Sequence, residues 1–148
     1  MTAEQYLALS AVAYGDIRSL EGRTILDIRN TPVDNLDFSK KEFSSLKELD
    51  SYKLISVSTR EEALYLDYNY MTNEFVTRDS GFYAAVFQSP SGDIIFAFRG
   101  TNDTTDWYTD AGIGFGAFPE DIPQFGCAIK FVTRVLREHG PIYYEETK

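Results

Sequence analysis

Positive charge is scarce in this chain. Fourteen Lys and Arg stand against 23 Asp and Glu, a formal net charge of -9. Nucleic acid and anionic membranes repel an acidic surface, so neither is expected as an electrostatic partner. A neutral ester substrate is untouched by that argument. Cysteine is scarcer still, with Cys127 alone, so no intramolecular disulfide can form. Cys127 falls among the apolar residues of an expected helix, and its expected role is that of a small buried hydrophobe. No apolar run is long enough to predict a transmembrane span. The first fifteen residues, MTAEQYLALSAVAYG, carry no Lys or Arg ahead of their apolar part and no cleavage pattern, so no signal peptide is expected. The expected location is cytoplasmic, or outside the cell by a route without an N-terminal signal. Internal repeats, low-complexity tracts and linkers are also missing, so residues 1–148 are expected to form one domain.

The usual marks of phosphate and metal sites are missing too. Gly112, Gly114 and Gly116 lack both the G-x-G-x-x-G spacing and the Lys-Ser or Lys-Thr of a P-loop. They read as an extended segment with close backbone packing, with a ligand loop as the alternative. Asp103, Asp106 and Asp110 are close together but do not fit the spacing of a calcium loop. No metal and no cofactor are expected. His139 is the single His, near a helix end where a cation is mildly favoured, and it reads as solvated.

Aromatic residues, by contrast, are abundant: ten Tyr and eleven Phe, each able to bury a large area. Taken in order, Thr2 to Gln5 fits a capping box, and a helix is expected over residues 3–14 with Gly15 as its terminator. Tyr6, Leu7, Leu9, Ala11, Val12 and Tyr14 give it a broad apolar face. Residues 16–53 are more polar, with turns at Asn30, Pro32 and Asp34-Asn35. A second box at Ser39 to Glu42 predicts a short amphipathic helix carrying Phe43, Leu46 and Leu49. Leu54 to Val57 suits a short strand. A third box, Thr59 to Glu62, precedes Tyr65 to Tyr70, which fits either a helix or an extended segment.

Two apolar runs follow, Phe82 to Phe87 and Ile94 to Phe98, joined by the turn-rich Ser89 to Asp93. Neither alternates, so both are expected to be strands covered on two faces by helices. Phe125, Ala128, Ile129, Val132, Val135 and Leu136 fall on one face of a last helix, with Pro123 near its start and Gly140-Pro141 at its stop.

The second run ends abruptly at Arg99-Gly100-Thr101. A polar loop follows, with Asp106-Trp107 and Asp110. Gly100 frees the backbone for a tight bend, and Thr101 is placed at the strand's carboxyl end, where open α/β sheets bind ligands. Alternatively, the run is a buried strand that leaves the sheet through a solvated loop, with Thr101 bonded to its own turn. Arg99 ends a buried strand and needs a partner or water. Asp106 and Asp110 are its near candidates, and such a pair would fix the loop and Thr101. Trp107 is expected to pack the loop on the core.

The string Phe98-Arg99-Gly100-Thr101, followed by Asp106-Trp107 and Asp110, resembles the signature of the class 3 lipase family. The resemblance extends from about Gly81 to Glu138 and includes Gln124-Phe125 and Ala128. Ala13-Tyr14-Gly15-Asp16 is similar to the opening of the bacterial lipase-like branch. The resemblance implies an α/β-hydrolase fold with a central mixed sheet flanked by helices. It implies hydrolysis of carboxylic esters, of lipids or phospholipids, by a Ser-His-Asp triad without a cofactor. In that family the Ser or Thr after F-R-G supplies part of the oxyanion hole, a role that falls on Thr101. Arg99, Gly100, Asp106, Trp107 and Asp110 would position its loop. No G-x-S-x-G nucleophile elbow occurs in the 148 residues, and His139 does not match the family's base. The expectation is therefore the N-terminal half of such a domain, incomplete on its C-terminal side and inactive alone. A bare strand edge would then favour a homo-oligomer or a bound partner segment. The rival readings are a non-catalytic lipase-like scaffold that binds a protein, and a fold completed by a separate C-terminal half.

Overall fold

The three most apolar extended segments pair into one antiparallel sheet. The computed structural model describes residues 1–99 and 123–140. In chain order its elements are α1 (Ala3–Val12), α2 (Ile25–Arg29), β1 (Lys53–Val57), β2 (Leu64–Asn69), β3 (Glu74–Asp79), β4 (Ala84–Gln88), β5 (Ile94–Phe98) and α3 (Pro123–His139). The main sheet has the order β1-β4-β5, and β2-β3 form a separate hairpin. The chain thus combines helices and sheets, α/β in the broad sense. A mixed sheet was expected, yet every pairing among the described residues is antiparallel.

Strand β4 explains the core. Ala85 and Phe87 point into one buried cluster, with Leu9 and Val12 of α1, Ile25 and Ile28 of α2, and Leu46 and Leu49. Ala84 and Val86 point into another, with Cys127, Phe131 and Val135 of α3. Both faces of β4 are covered, which is why its sequence is apolar without alternation. Burying Phe87 and Phe131 contributes roughly 2–3 kcal/mol each. Strand β5 departs from the expectation. Ala97 is buried, but Ile94, Ile95 and Phe96 are half-buried and Phe98 is exposed.

The first box forms as read. Gln5 N donates to Thr2 Oγ1 at 3.2 Å, and Thr2 N donates to Gln5 Oε1 at 2.9 Å. The buried side of α1 is narrower than its apolar pattern, because Tyr6 and Leu7 are exposed. Gly15 does more than follow the helix: a Cβ there would lie 2.6 Å from Leu36 Cγ and 2.9 Å from Val33 Cγ1. The missing side chain lets the following loop close over α1.

Two expectations need correction, and one open alternative is settled. The Ser39 box does not form. Ser39 N and Oγ bond back to Asp37 instead, and the segment makes two single 3-10 turns, Lys41–Phe43 and Leu46–Leu49. A neighbouring Asp competes for the same hydroxyl and favours the local turn. The Thr59 box does form, with Glu62 N on Thr59 Oγ1 at 3.2 Å and Thr59 N on Glu62 Oε1 at 2.8 Å. It opens only one turn, and the Tyr-rich run is strand β2. Finally, α3 docks by part of its expected face: Ala128, Val132 and Val135 pack on the core as expected. Cys127, Phe131 and Val135 are buried while Phe125, Ile129 and Leu136 are exposed. Its apolar arc is wider than its contact, and Arg134 selects which part docks.

Arg134 is the anchor of that helix. Its Nε donates to Glu62 Oε2 at 2.8 Å and its Nη2 to Glu62 Oε1 at 2.9 Å, a two-pronged ion pair. Nη1 also reaches Ser56 Oγ and Nη2 reaches Val57 O, both at 3.1 Å. The β1–β4 register shifts between Leu54 and Ser56. Ile55 then packs on the α3 cluster and Ser56 meets Arg134 on the same side.

Candidate functional site at the end of strand β5

Of the residues singled out for function, Arg99 lies within the described residues. Gly100, Thr101, Asp106, Trp107 and Asp110 lie outside them, as do Asp103 and Gly112, Gly114 and Gly116. The expected pairing of Arg99 with Asp106 or Asp110 therefore falls outside the described residues as well.

Arg99 is set by strand pairing. Its backbone N–H donates to Tyr83 O at 2.9 Å, one step beyond the β4–β5 ladder. Its side chain turns back over the sheet end, where Nη2 donates to Gly81 O at 2.9 Å and Cζ lies 4.8 Å from the Tyr83 ring centroid. Arg18 Cζ lies 4.6 Å from the same ring. A guanidinium this near an aromatic ring gains a cation–π attraction, stronger where water is partly excluded.

Tyr83 is the centre of this arrangement and is nearly fully buried. Its hydroxyl accepts a hydrogen bond from Ile17 N at 2.8 Å and donates to Asp16 Oδ1 at 3.4 Å. Burial raises the phenol above its ordinary range; the Ile17 N–H opposes that shift and Asp16 adds to it. Tyr83 is therefore a neutral, fixed strut at physiological pH. Arg18 is held in turn by Nε donating to Ser58 O at 2.8 Å, with Nη1 3.7 Å from Asp16 Oδ1.

The loop before β4 is tied to α3. Gly81 takes φ +77, a conformation glycine adopts without strain, and its N–H donates to Asp79 Oδ1 at 2.8 Å. Gln124 Nε2 donates to Ser80 O at 2.8 Å, and Ser80 Oγ lies 3.3 Å from Cys127 Sγ. Cys127 is buried, as its apolar surroundings in the sequence imply. His139 is at the exposed end of α3, 3.9 Å from Glu138, and no serine among the described residues bonds to it.

Sequence reasoning missed Tyr83 and Arg18 as partners of Arg99. Phe82-Tyr83 reads as part of an apolar strand, and nothing local marks its hydroxyl as bonded 66 residues away. One signal was available: Asp16 and Arg18 flank Ile17 just after a helix-ending Gly, which is a place for polar groups to face a site.

Among the described residues no three His, Cys, Asp or Glu side chains could hold a metal together, and no helix is long and apolar enough to cross a membrane. No family model, no curated protein and no solved structure matches the chain.

Proposed function

We propose that this chain carries the N-terminal portion of a class 3 lipase-like α/β-hydrolase domain acting on carboxylic esters of lipids or phospholipids. The observation that carries this reading is the end of β5. The strand stops at Phe98, Arg99 follows at its carboxyl end braced by Tyr83 and Gly81, and Gly100-Thr101 come next in the sequence. The F-R-G-T string and the following Asp106, Trp107 and Asp110 add to it. In this reading Thr101 offers its hydroxyl and N–H to the developing oxyanion. The nucleophile, base and acid of the triad come from sequence outside these 148 residues. The chain alone is inactive, since oxyanion donors without a nucleophile supply only modest catalysis.

The test uses p-nitrophenyl butyrate. The 148-residue chain alone should hydrolyse it no faster than buffer. Fused to, or mixed with, a class 3 lipase C-terminal half bearing the nucleophile elbow, it should turn over. Thr101→Val should then lower kcat roughly 10²- to 10³-fold, the loss expected for one oxyanion donor. A change below twofold would remove Thr101 from that role.

A second reading, a non-catalytic scaffold that binds a protein partner, is favoured by a different observation. Phe98 at the end of β5 and Phe125, Ile129 and Leu136 of α3 are exposed large apolar groups. Strand β5 is also an edge of the described sheet. Sedimentation velocity should then show self-association that rises with concentration. A monomer over a hundredfold range would count against it.

A further inference from the structure

The hairpin of β2 and β3 has one aromatic face and one charged face. Residues two apart along a strand share a face, and so do directly opposite residues of paired strands. Tyr68 is opposite Phe75, and Leu66 is opposite Thr77. These four therefore line one face, and the Tyr68 ring also meets Tyr70 at 4.8 Å and Phe75 at 5.1 Å. Asp67, Glu74 and Arg78 belong to the other face, where Arg78 Nε donates to Asp67 Oδ2 at 2.8 Å. The aromatic face is open. Leu66 is 68%, Tyr70 84% and Phe75 67% exposed, and no residue of either strand is buried.

We propose that this face is a dimerisation surface, covered by the same face of a second copy of the chain. The proposal does not depend on the hydrolase reading, and it uses other residues than Phe98 and the exposed side of α3.

A second copy is selected by structure, charge and area. A two-stranded hairpin is marginal in water by itself and needs further strands or a helix on its apolar face. The pair β2-β3 forms its own sheet, and α3 meets it at the root, where Lys130 Nζ donates to Leu64 O at 2.8 Å. Two such hairpins packed face to face form a four-stranded sandwich, each supplying the layer the other lacks. From Leu66 to the turn the aromatic face carries no charged residue. A basic partner would find no carboxylate there, and two copies would set no like charges against each other. Tyr and Phe side chains offer about 150–250 Å² each, so Tyr70, Phe75, Leu66 and part of Tyr68 present roughly 500 Å². Two copies would bury roughly 1,000 Å², the lower limit of a specific interface and the size of a reversible one. The stripe also runs along the hairpin from Leu66 to Tyr70, which suits another sheet face more than shallow insertion of a tip into lipid.

Sedimentation velocity of the full chain over a hundredfold range of concentration should show a reversible monomer–dimer equilibrium. Isotope-filtered NMR on a mixture of labelled and unlabelled chain should show contacts between the Tyr68, Tyr70 and Phe75 rings of the two copies. Phe75→Ser should weaken the dimer at least about tenfold, because a two-fold interface loses the side chain twice. Thr77→Glu leaves every ring in place and should do the same, by setting two carboxylates against each other. Phe98→Ser and Leu136→Ser should leave the dimer unchanged. Rising salt should not weaken it, since the contact holds no ion pair and the two acidic copies repel less. A chain that stays monomeric would overturn the proposal. So would a dimer that both hairpin variants leave intact, or one that salt dissociates. Binding to phosphatidylcholine vesicles that Phe75→Ser abolishes, with no dimer in solution, would make a lipid surface the occupant and overturn it as well.

Discussion

Removing Arg134 should cost this fold about 3 kcal/mol. Its guanidinium makes a two-pronged pair with Glu62 at 2.8 and 2.9 Å and reaches Ser56 and Val57 at 3.1 Å. The side chains are 22% and 12% exposed, closer to interior than to surface. Breaking a buried pair by deleting one partner costs roughly 3–5 kcal/mol, because the other charge is left unpaired. Residual solvent access and the Thr59 N–H on Glu62 place Arg134→Met at the lower end of that range. Removing both charges relieves the orphaned group, so Arg134→Met/Glu62→Met should cost less than the two single changes together, by about 2 kcal/mol. Urea unfolding at pH 7 measures this cycle. The pH dependence is a second check. Burial pushes the Glu62 carboxyl upward, but the bonds from Arg134 and Thr59 outweigh it and hold the carboxyl below its ordinary value. A carboxyl lowered by folding stabilises the protein above its unfolded value, about 4.3, and that contribution fades as pH falls through the folded value. Wild type should therefore lose stability below about pH 4 more steeply than Glu62→Gln. If Arg134→Met costs under about 1 kcal/mol and the cycle is additive, the pair behaves like an exposed one. The account of how α3 docks would then be wrong.

Tyr83→Phe should destabilise by about 1–3 kcal/mol, since it leaves the buried Ile17 N–H without its acceptor. A thermal melt that does not move would mean water replaces the hydroxyl. Gly126 is in α3 with nothing within 4 Å of an added Cβ. Gly126→Ala should raise stability by about 0.5–1 kcal/mol through helix propensity alone, read as a higher urea midpoint. Gly15→Ala should do the reverse, by about 1–3 kcal/mol, because the new Cβ would overlap Leu36 and Val33.

What the sequence made legible was set by local chemistry. The runs Phe82 to Phe87 and Ile94 to Phe98 are apolar because their strands meet buried clusters, and their turn is closed by Ser89 and Gly92. Thr2 and Gln5 find each other three residues apart. The misses depend on distant partners or on competition. Strand β3 is mostly polar and exposed, and its only turn mark is Asn73, which takes φ +55 without a Gly. Short α2 was hidden in a polar stretch, although Thr24 caps it through Asp27 N. Arg134 and Glu62 are 72 residues apart, and no local pattern pairs them. The orientation of α3 goes with that pair: of its expected face, Ala128, Val132 and Val135 pack on the core, while Phe125, Ile129 and Leu136 are exposed.

The two clusters on either side of β4 meet at the end of the sheet where Arg99 is placed. From one side, Ile17 holds the Tyr83 hydroxyl and Arg18 lies against its ring. From the other, Gln124 of α3 holds Ser80 O, one residue before the Gly81 carbonyl that fixes Arg99. The second hold combines the buried Cys127, Phe131 and Val135 of α3 with polar side-chain bonds nearer its rim. These are Gln124 Nε2 to Ser80 O and Lys130 Nζ to Leu64 O, both at 2.8 Å, and they are the weaker part. Local opening is expected to follow such bonds before it reaches a buried cluster. Loosening of α3 would free Ser80 and the Gly81 turn while leaving Tyr83 and Arg18 in place. Arg99 is thus fixed from a stable side and from a releasable one. The proposed role for this strand end, oxyanion support, would respond to the docking of α3. The Arg134–Glu62 pair, more than 30 residues in sequence from Arg99 on both counts, is then a control point for the site as well as for stability.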